Sequence, residues 1–392
     1  MTVKKLKICF IIYIYIIFNM YNFVIATEIT NENESNENAD NQTIEEMKIY
    51  SESAILIEAK TGKILYEKNI HDKKYPASTT KILTAIIAIE KCDLNEKAIA
   101  SYGAINSLEP GYTKADIQVG ETFTIKQLLE VLMVQSANES ANIIAEHISG
   151  SVSEFAKLMN DKAKEIGCVE SNFVNPNGMH NENHYSSVYD LSVIAKYCMQ
   201  NETFRELAKM METSLPRTEY WQDEQIEEHG ERNFKNTNSL LIPENRYYYP
   251  YAIGIKTGFT TPAKNCLVSA SNKDGFETIA VVLHAEATDE GLSARYLDTI
   301  NLFEYGYNNY DIEDIQKEYP NIIVEENNNI DLNNEEYTEQ LEIKNEEKIN
   351  ITKEIIEIGI GIVFLIIAIA IIFPKRKGKH ECRNMYKFNL NQ

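Results

Sequence analysis

Ser78 and Lys81 lie three residues apart in Pro76-Ala77-Ser78-Thr79-Thr80-Lys81-Ile82-Leu83-Thr84-Ala85-Ile86-Ile87-Ala88-Ile89. Residues at that spacing share a helix face, so the lysine amine can reach the serine hydroxyl. A serine attacks poorly until something takes its proton. A lysine can take it where burial or a neighbouring cation favours the neutral amine. The chemistry on offer is nucleophilic catalysis through a covalent intermediate. Alone the pair is a weak signal, because such spacing recurs by chance and an ordinary helix start explains it equally well.

Positioning that pair requires a helix, and the sequence supplies one. Pro76 suits a first turn, and Ile82, Leu83, Ile86, Ile87 and Ile89 then recur at the spacing of a buried face, which predicts a helix starting near Ser78. Two further helical runs, Thr124–Met133 and the one beginning at Glu139, leave Ser136 and Asn138 on their short connection. Such a connection can aim two polar side chains into a cleft; helix capping by either residue is the competing explanation. Helices are also predicted for Phe155–Ile166 and Leu191–Met199, and a final one near Leu292–Tyr305.

Strands frame the rest. Ser53–Asn69 reads as a hairpin around Lys60-Thr61-Gly62, a tripeptide that turn chemistry explains and that receives no catalytic role. Tyr251–Thr260 reads as a strand carrying a second such tripeptide, Lys256-Thr257-Gly258. Asn265–Ala270 and Phe276–Leu283 follow as strands around the turn Asn272-Lys273-Asp274-Gly275. Between Thr218 and Pro250 the chain is polar and irregular, with Trp221 inside it, and reads as a surface loop rather than a lip of a cleft.

The flanks differ in character. Met1–Lys7 is basic, Ile8–Ile25 is apolar and Val24-Ile25-Ala26 offers a cleavage site, which predicts a signal peptide over 1–26, with an uncleaved anchor as the alternative. Ile355–Phe373 is apolar apart from Glu357 and is followed by Pro374-Lys375-Arg376-Lys377-Gly378-Lys379. This predicts a transmembrane helix over 355–373 with a short basic cytoplasmic tail over 374–392, a buried core helix being the alternative. Thr27–Glu46 carries seven acidic and no basic residues and Asp311–Glu357 fifteen acidic and four basic, so −18 of the net −21 lies in two solvated stretches, a linker over 27–48 and a stalk over 311–354. The folded domain then occupies 49–310. No basic face calls for nucleic acid. Cys92, Cys168, Cys198 and Cys266 have no metal-like rhythm and read as small buried apolar residues, with a disulfide left open.

Taken in order, Ser78-x-x-Lys81, Ser136-x-Asn138 and Lys256-Thr257-Gly258 resemble the motif set of the low-molecular-weight penicillin-binding proteins that act as serine-type D-alanyl-D-alanine carboxypeptidases. The likeness spans roughly Ile49–Tyr310 and includes Asn175-Pro176-Asn177-Gly178-Met179 and Asn236-Thr237-Asn238-Ser239-Leu240-Leu241. It implies an α+β, β-lactamase/transpeptidase-like fold, with an antiparallel sheet flanked by helices and a mostly helical subdomain. It further implies Ser78 as nucleophile, Lys81 as its base, Ser136 as proton relay and Asn138 as a substrate-amide contact. Lys256 and Thr257 would receive the terminal carboxylate, Gly258 would admit the substrate close to the strand, and the backbone N–H groups of Ser78 and Phe259 would form the oxyanion hole. No metal or cofactor is implied. The implied partners are peptidoglycan stem peptides and β-lactams as covalent inhibitors; the membrane is a partner through the helix read over 355–373. The sequence departs from the pattern at Glu139, where many relatives carry Asp, at Lys264, where a glycine is common, and in having an acidic segment where many relatives have a β-rich domain. A β-lactamase, which needs a glutamate motif absent here, and a β-lactam receptor acylated without turnover, which needs a cytoplasmic output, are the competing functions.

Overall fold

Ala54-Ile55-Leu56-Ile57 is apolar at every position, which suits a strand covered on both faces. In the computed structural model, which describes residues 47–221 and 231–319, it forms β1 (Ser53–Glu58), buried throughout. The order continues with β2 (Ile64–Lys68), a 3-10 turn (Ala77–Thr80), α1 (Lys81–Lys91), β3 (Lys97–Ile99), α2 (Tyr102–Asn106), β4 (Thr122–Thr124), α3 (Ile125–Val134), α4 (Asn138–Ser149) and α5 (Val152–Glu165). After these come α6 (Val188–Met199), α7 (Glu202–Lys209), β5 (Glu212–Ser214), β6 (Asn233–Lys235), β7 (Ala252–Thr260), β8 (Lys264–Lys273), β9 (Phe276–Ala285), α8 (Ala294–Asn309) and α9 (Ile312–Glu318).

The main sheet is antiparallel, in the order β2-β1-β9-β8-β7, so β7 is an edge strand with one side free to pair. Its two faces serve different layers. Ile55, Ile57, Ile279 and Val281 join the core formed by α1, α3, α4 and α6, whereas Leu56 faces α8, where Gly306 packs against it. The helices start where side chains satisfy their first N–H groups: Thr124 and Gln127 form a capping box on α3, and Ser151, Ser187 and Asn201 cap α5, α6 and α7.

Helix α8 is also tied to the start of the domain. Buried Asp298 accepts from the backbone N–H groups of Tyr50 at 3.0 Å and Ser51 at 2.7 Å, and from the Ser51 hydroxyl at 2.5 Å. Asp298→Ala leaves the Ser51 N–H buried without an acceptor. We expect it to lower stability by about 1–3 kcal/mol, read from the urea midpoint.

Three expectations need correction. The turn holding Ser78 is 3-10 rather than α-helical, and Ala77 at its start is left-handed (φ 48°), which stops any right-handed helix from extending further back; α1 proper begins at Lys81. Trp221 is not part of a surface loop: it is buried, and the Arg232 guanidinium lies 4.6 Å from its ring while forming a fork–fork ion pair with Glu121 at 2.9 and 2.8 Å. Finally, α9 lies within the stretch assigned to the stalk and buries Ile315, so the folded part runs past Tyr310. By its contacts the chain divides into Met1–Lys317 and Glu318–Gln392, and of the second unit only residues 318–319 are described. The segments read as signal peptide and transmembrane helix lie outside the described residues, among which no helix is long and apolar enough to cross a membrane.

Candidate active site

The four-residue turn before α1 exposes one side chain: Ala77, Thr79 and Thr80 are buried and Ser78 is not. Thr79 fastens the turn by donating its hydroxyl to the Pro76 carbonyl at 2.7 Å. Thr80 is held by buried His184. The Nδ1 of this ring accepts from the Val174 N–H at 3.1 Å, which leaves Nε2 protonated to donate to the Thr80 hydroxyl at 2.8 Å. Burial, together with the nearby His180 and Lys81, pushes the His184 pKa down to about 3, so the ring is a neutral, fixed strut.

Lys81 is fully buried, and its Nζ has three neighbours: Ser78 Oγ at 2.9 Å, Asn138 Oδ1 at 2.9 Å and the Asn177 carbonyl at 2.5 Å. The Asn138 amide is oriented by its own donation to the Thr113 carbonyl at 2.9 Å, which turns Oδ1 toward the lysine. The Thr113 stretch is held in turn by Glu139, whose carboxylate accepts from the Ala115 N–H at 2.6 Å; burial raises the Glu139 pKa. Burial first, and the charge of Lys256 second, hold the Lys81 pKa well below the usual lysine range.

The edge strand β7 forms the opposite wall. Lys256 is buried and donates to the Thr257 carbonyl at 3.2 Å; burial, and then the Arg295 charge, pull its pKa down to about 7. The Thr257 hydroxyl meets that of Thr237 at 2.5 Å, and Arg295 of α8 donates to the Gly258 carbonyl at 3.3 Å. Gly258 comes so close to the nucleophile turn that a Cβ there would stand 3.0 Å from both the Pro76 carbonyl oxygen and the Ser78 nitrogen. Phe259, the next residue, is exposed.

Ser78, Lys81 and Asn138 thus share one hydrogen-bonded cluster, and Gly258 brings the Lys256-Thr257-Gly258 strand against it. Ser136 sits in the α3–α4 connection, in left-handed conformation (φ 68°) and nearly buried, with its hydroxyl hydrogen-bonded to neither Ser78 nor Lys81. Asn138 is the first residue of α4 rather than part of the connection. Sequence reasoning missed the parts played by Asn177, Thr237 and Arg295. Asn177 contributes a backbone carbonyl, which no side-chain pattern announces. Thr237 lay within a motif that was noted without a role, and Arg295 comes from a helix with no local signal.

The profile of a family described as D-alanyl-D-alanine carboxypeptidase matches residues 39–287. The chain belongs to this family. It is a serine-type carboxypeptidase, a hydrolase of the penicillin-binding protein group. It is similar to the D-alanyl-D-alanine carboxypeptidase DacF of Bacillus subtilis, with 33% identity over 71% of this chain and 67% of that protein. It is also similar to a D-alanyl-D-alanine carboxypeptidase of Streptomyces sp., with 32% identity over 63% of this chain and 84% of the relative. Among solved structures, the Streptomyces K15 DD-transpeptidase superposes with a TM-score of 0.59 at 29% identity, covering 67% of this chain and 98% of that one. The D-alanyl-D-alanine carboxypeptidase of Mycobacterium tuberculosis superposes with a TM-score of 0.60 at 25% identity, over 68% and 94%.

Proposed function

We propose that this enzyme removes the terminal D-alanine of peptidoglycan stem pentapeptides outside the cell, through an acyl-enzyme on Ser78. The observation that carries the reading is the set of contacts at Lys81. Two of its three partners, Asn138 Oδ1 and the Asn177 carbonyl, can only accept hydrogen bonds. A neutral amine has two N–H groups and one lone pair. It spends both N–H groups on those acceptors, and its lone pair is left for the Ser78 hydroxyl.

The Ser78 oxygen attacks the carbonyl carbon of the penultimate D-alanine as its proton passes to Lys81. The developing oxyanion takes the backbone N–H groups of Ser78 and Phe259. The carbon–nitrogen bond breaks as a proton moves from Lys81, relayed by Ser136, to the leaving amine. Water then opens the ester, giving its proton to the same base and restoring the Ser78 hydroxyl. Asn138 holds the substrate amide, Lys256 and Thr257 bind the free carboxylate, and Gly258 lets the peptide pair along β7. β-Lactams acylate Ser78 in place of the peptide. The enzyme is exported by the segment 1–26, its folded domain runs from residue 49 to the end of α9, and the rest of the acidic stretch, to 354, leads to a membrane helix, 355–373, with 374–392 in the cytoplasm.

The test is D-alanine release from diacetyl-Lys-D-Ala-D-Ala by the full chain in detergent. Steady release by the wild type that is lost in Ser78→Ala supports the reading. Stoichiometric penicillin binding without any release would replace it with a receptor.

A pH profile separates the two lysines. Burial penalises the charged form of each, so Lys81 is neutral where free lysine is charged, while Lys256 loses its charge as pH rises through about 7. We expect kcat/KM to be bell-shaped, with the acid limb set by protonation of the base and the alkaline limb by discharge of Lys256. A bound carboxylate shifts that limb upward in kcat. Lys256→Arg, which cannot discharge, should abolish the alkaline limb; an unchanged limb would assign it elsewhere.

A further inference from the structure

At the ends of α1 and α4 remote from the active site, three side chains of different donor chemistry converge. Cys92 follows the last residue of α1, Glu96 belongs to the turn leading into β3, and His147 lies in the last turn of α4. Their sulfur, carboxylate and imidazole ligand atoms all lie within 4.8 Å of one another, and His147 Nε2 is 3.1 Å from Glu96 Oε1. The turn is fixed by backbone bonds from the Glu96 N–H to the Asp93 carbonyl at 3.0 Å and from the Ile125 N–H to the Glu96 carbonyl at 2.9 Å.

We propose that Cys92, Glu96 and His147 bind a divalent transition metal ion, with zinc the best match. One thiolate, one imidazole and one carboxylate form a donor set that zinc accepts in tetrahedral geometry, with water in the fourth position. Ordinary zinc bond lengths place such donors roughly 3.3–3.7 Å apart, so the His147–Glu96 pair opens slightly and the distances to the sulfur close by up to about an ångström. Glu96, whose side chain is 46% exposed, has the freedom to do so. Binding displaces the Cys92 thiol proton to solvent and forms one metal–sulfur bond, with no change of oxidation state. The purpose follows from the helices that are joined. Helix α1 begins at Lys81 and α4 at Asn138, so an ion at their far ends clamps together the two elements that carry that hydrogen-bonded pair.

The full chain in detergent, stripped with a chelator, is titrated with Zn²⁺ against a chromophoric competitor, and with Co²⁺ to read thiolate ligation by charge-transfer absorption. The expected result is one equivalent of metal, a cobalt–thiolate band and a Tm that rises with Zn²⁺. Cys92→Ser and His147→Ala should each weaken binding by at least about tenfold, the lower end of what losing even an outer partner of a ligand costs. Cys92→Ser should also remove the band, with near-UV circular dichroism showing the native fold. Glu96→Gln tests the same site through a half-exposed residue if either variant fails to fold. Unchanged affinity in these variants, no binding up to micromolar metal, or loss confined to Cys382→Ser, which would move the ion to His380-Glu381-Cys382, overturns the proposal.

Discussion

Lys81→Met is expected to slow acylation of Ser78 by about 10²–10⁴-fold while leaving the domain folded. Lys81 is enclosed by the nucleophile, a side-chain carbonyl and a main-chain carbonyl, with none of its surface reaching solvent. A methionine of similar length fills that space but can neither take the Ser78 proton nor return it to a leaving group. Removing the amine leaves two oxygens without a donor, of which Asn138 Oδ1 can turn with its side chain and the Asn177 carbonyl cannot. Stability should therefore fall by about 1–3 kcal/mol, much less than the activity falls. Stopped-flow acylation by a chromogenic cephalosporin, alongside urea unfolding, separates the two effects. Acylation at the wild-type rate would remove Lys81 from its assigned role.

Gly178→Ala should be comparably damaging, although Gly178 itself does no chemistry. Its φ of 81° is left-handed, and a Cβ there would lie 1.8 Å from the Ala77 carbonyl oxygen and 2.4 Å from its carbon. Both are backbone atoms of the turn that presents Ser78, so no flexible side chain can yield. Either the turn moves and carries Ser78 with it, or the 175–179 loop moves and withdraws the Asn177 carbonyl from Lys81. A displacement near 1 Å at a reacting group costs about a hundredfold, and a left-handed alanine costs about 1–3 kcal/mol. We expect losses of both kinds in the acylation rate and the urea midpoint. Gly150→Ala is the control: φ there is 75°, so the same left-handed cost of about 1–3 kcal/mol applies, but nothing lies within 4 Å of the added Cβ and the acylation rate should not change. If both variants acylate alike, contact with the nucleophile turn is not what Gly178 provides.

Much of this site was legible in the sequence, for physical reasons. Ser78 and Lys81 announce themselves because side chains three apart must meet on any helical turn, whether 3-10 or α. The runs Ala54–Ile57 and Ile279–Leu283 are short, rich in β-branched residues and bounded by turns, which reads as strands and is what forms, while Gly258 packs against the nucleophile turn, a contact that its sequence did not announce. What escaped reading is carried by the backbone or by distant partners. The left-handed Ala77 at the start of the 3-10 turn has no signature in its side chain. The Asn177 carbonyl is a main-chain group. Arg232 and Trp221 appear in a polar stretch, yet Arg232 is buried against Glu121, 111 residues away, and its guanidinium packs on the Trp221 ring.

The most direct measurement is peptide mapping, by mass spectrometry, of the full chain trapped with benzylpenicillin. A single penicilloyl ester on the peptide containing Ser78 is the expected result, absent in Ser78→Ala and slow to form in Lys81→Met. An ester on the peptide containing Ser136, or none on any serine of the folded protein, would contradict the assignment of Ser78 as the nucleophile.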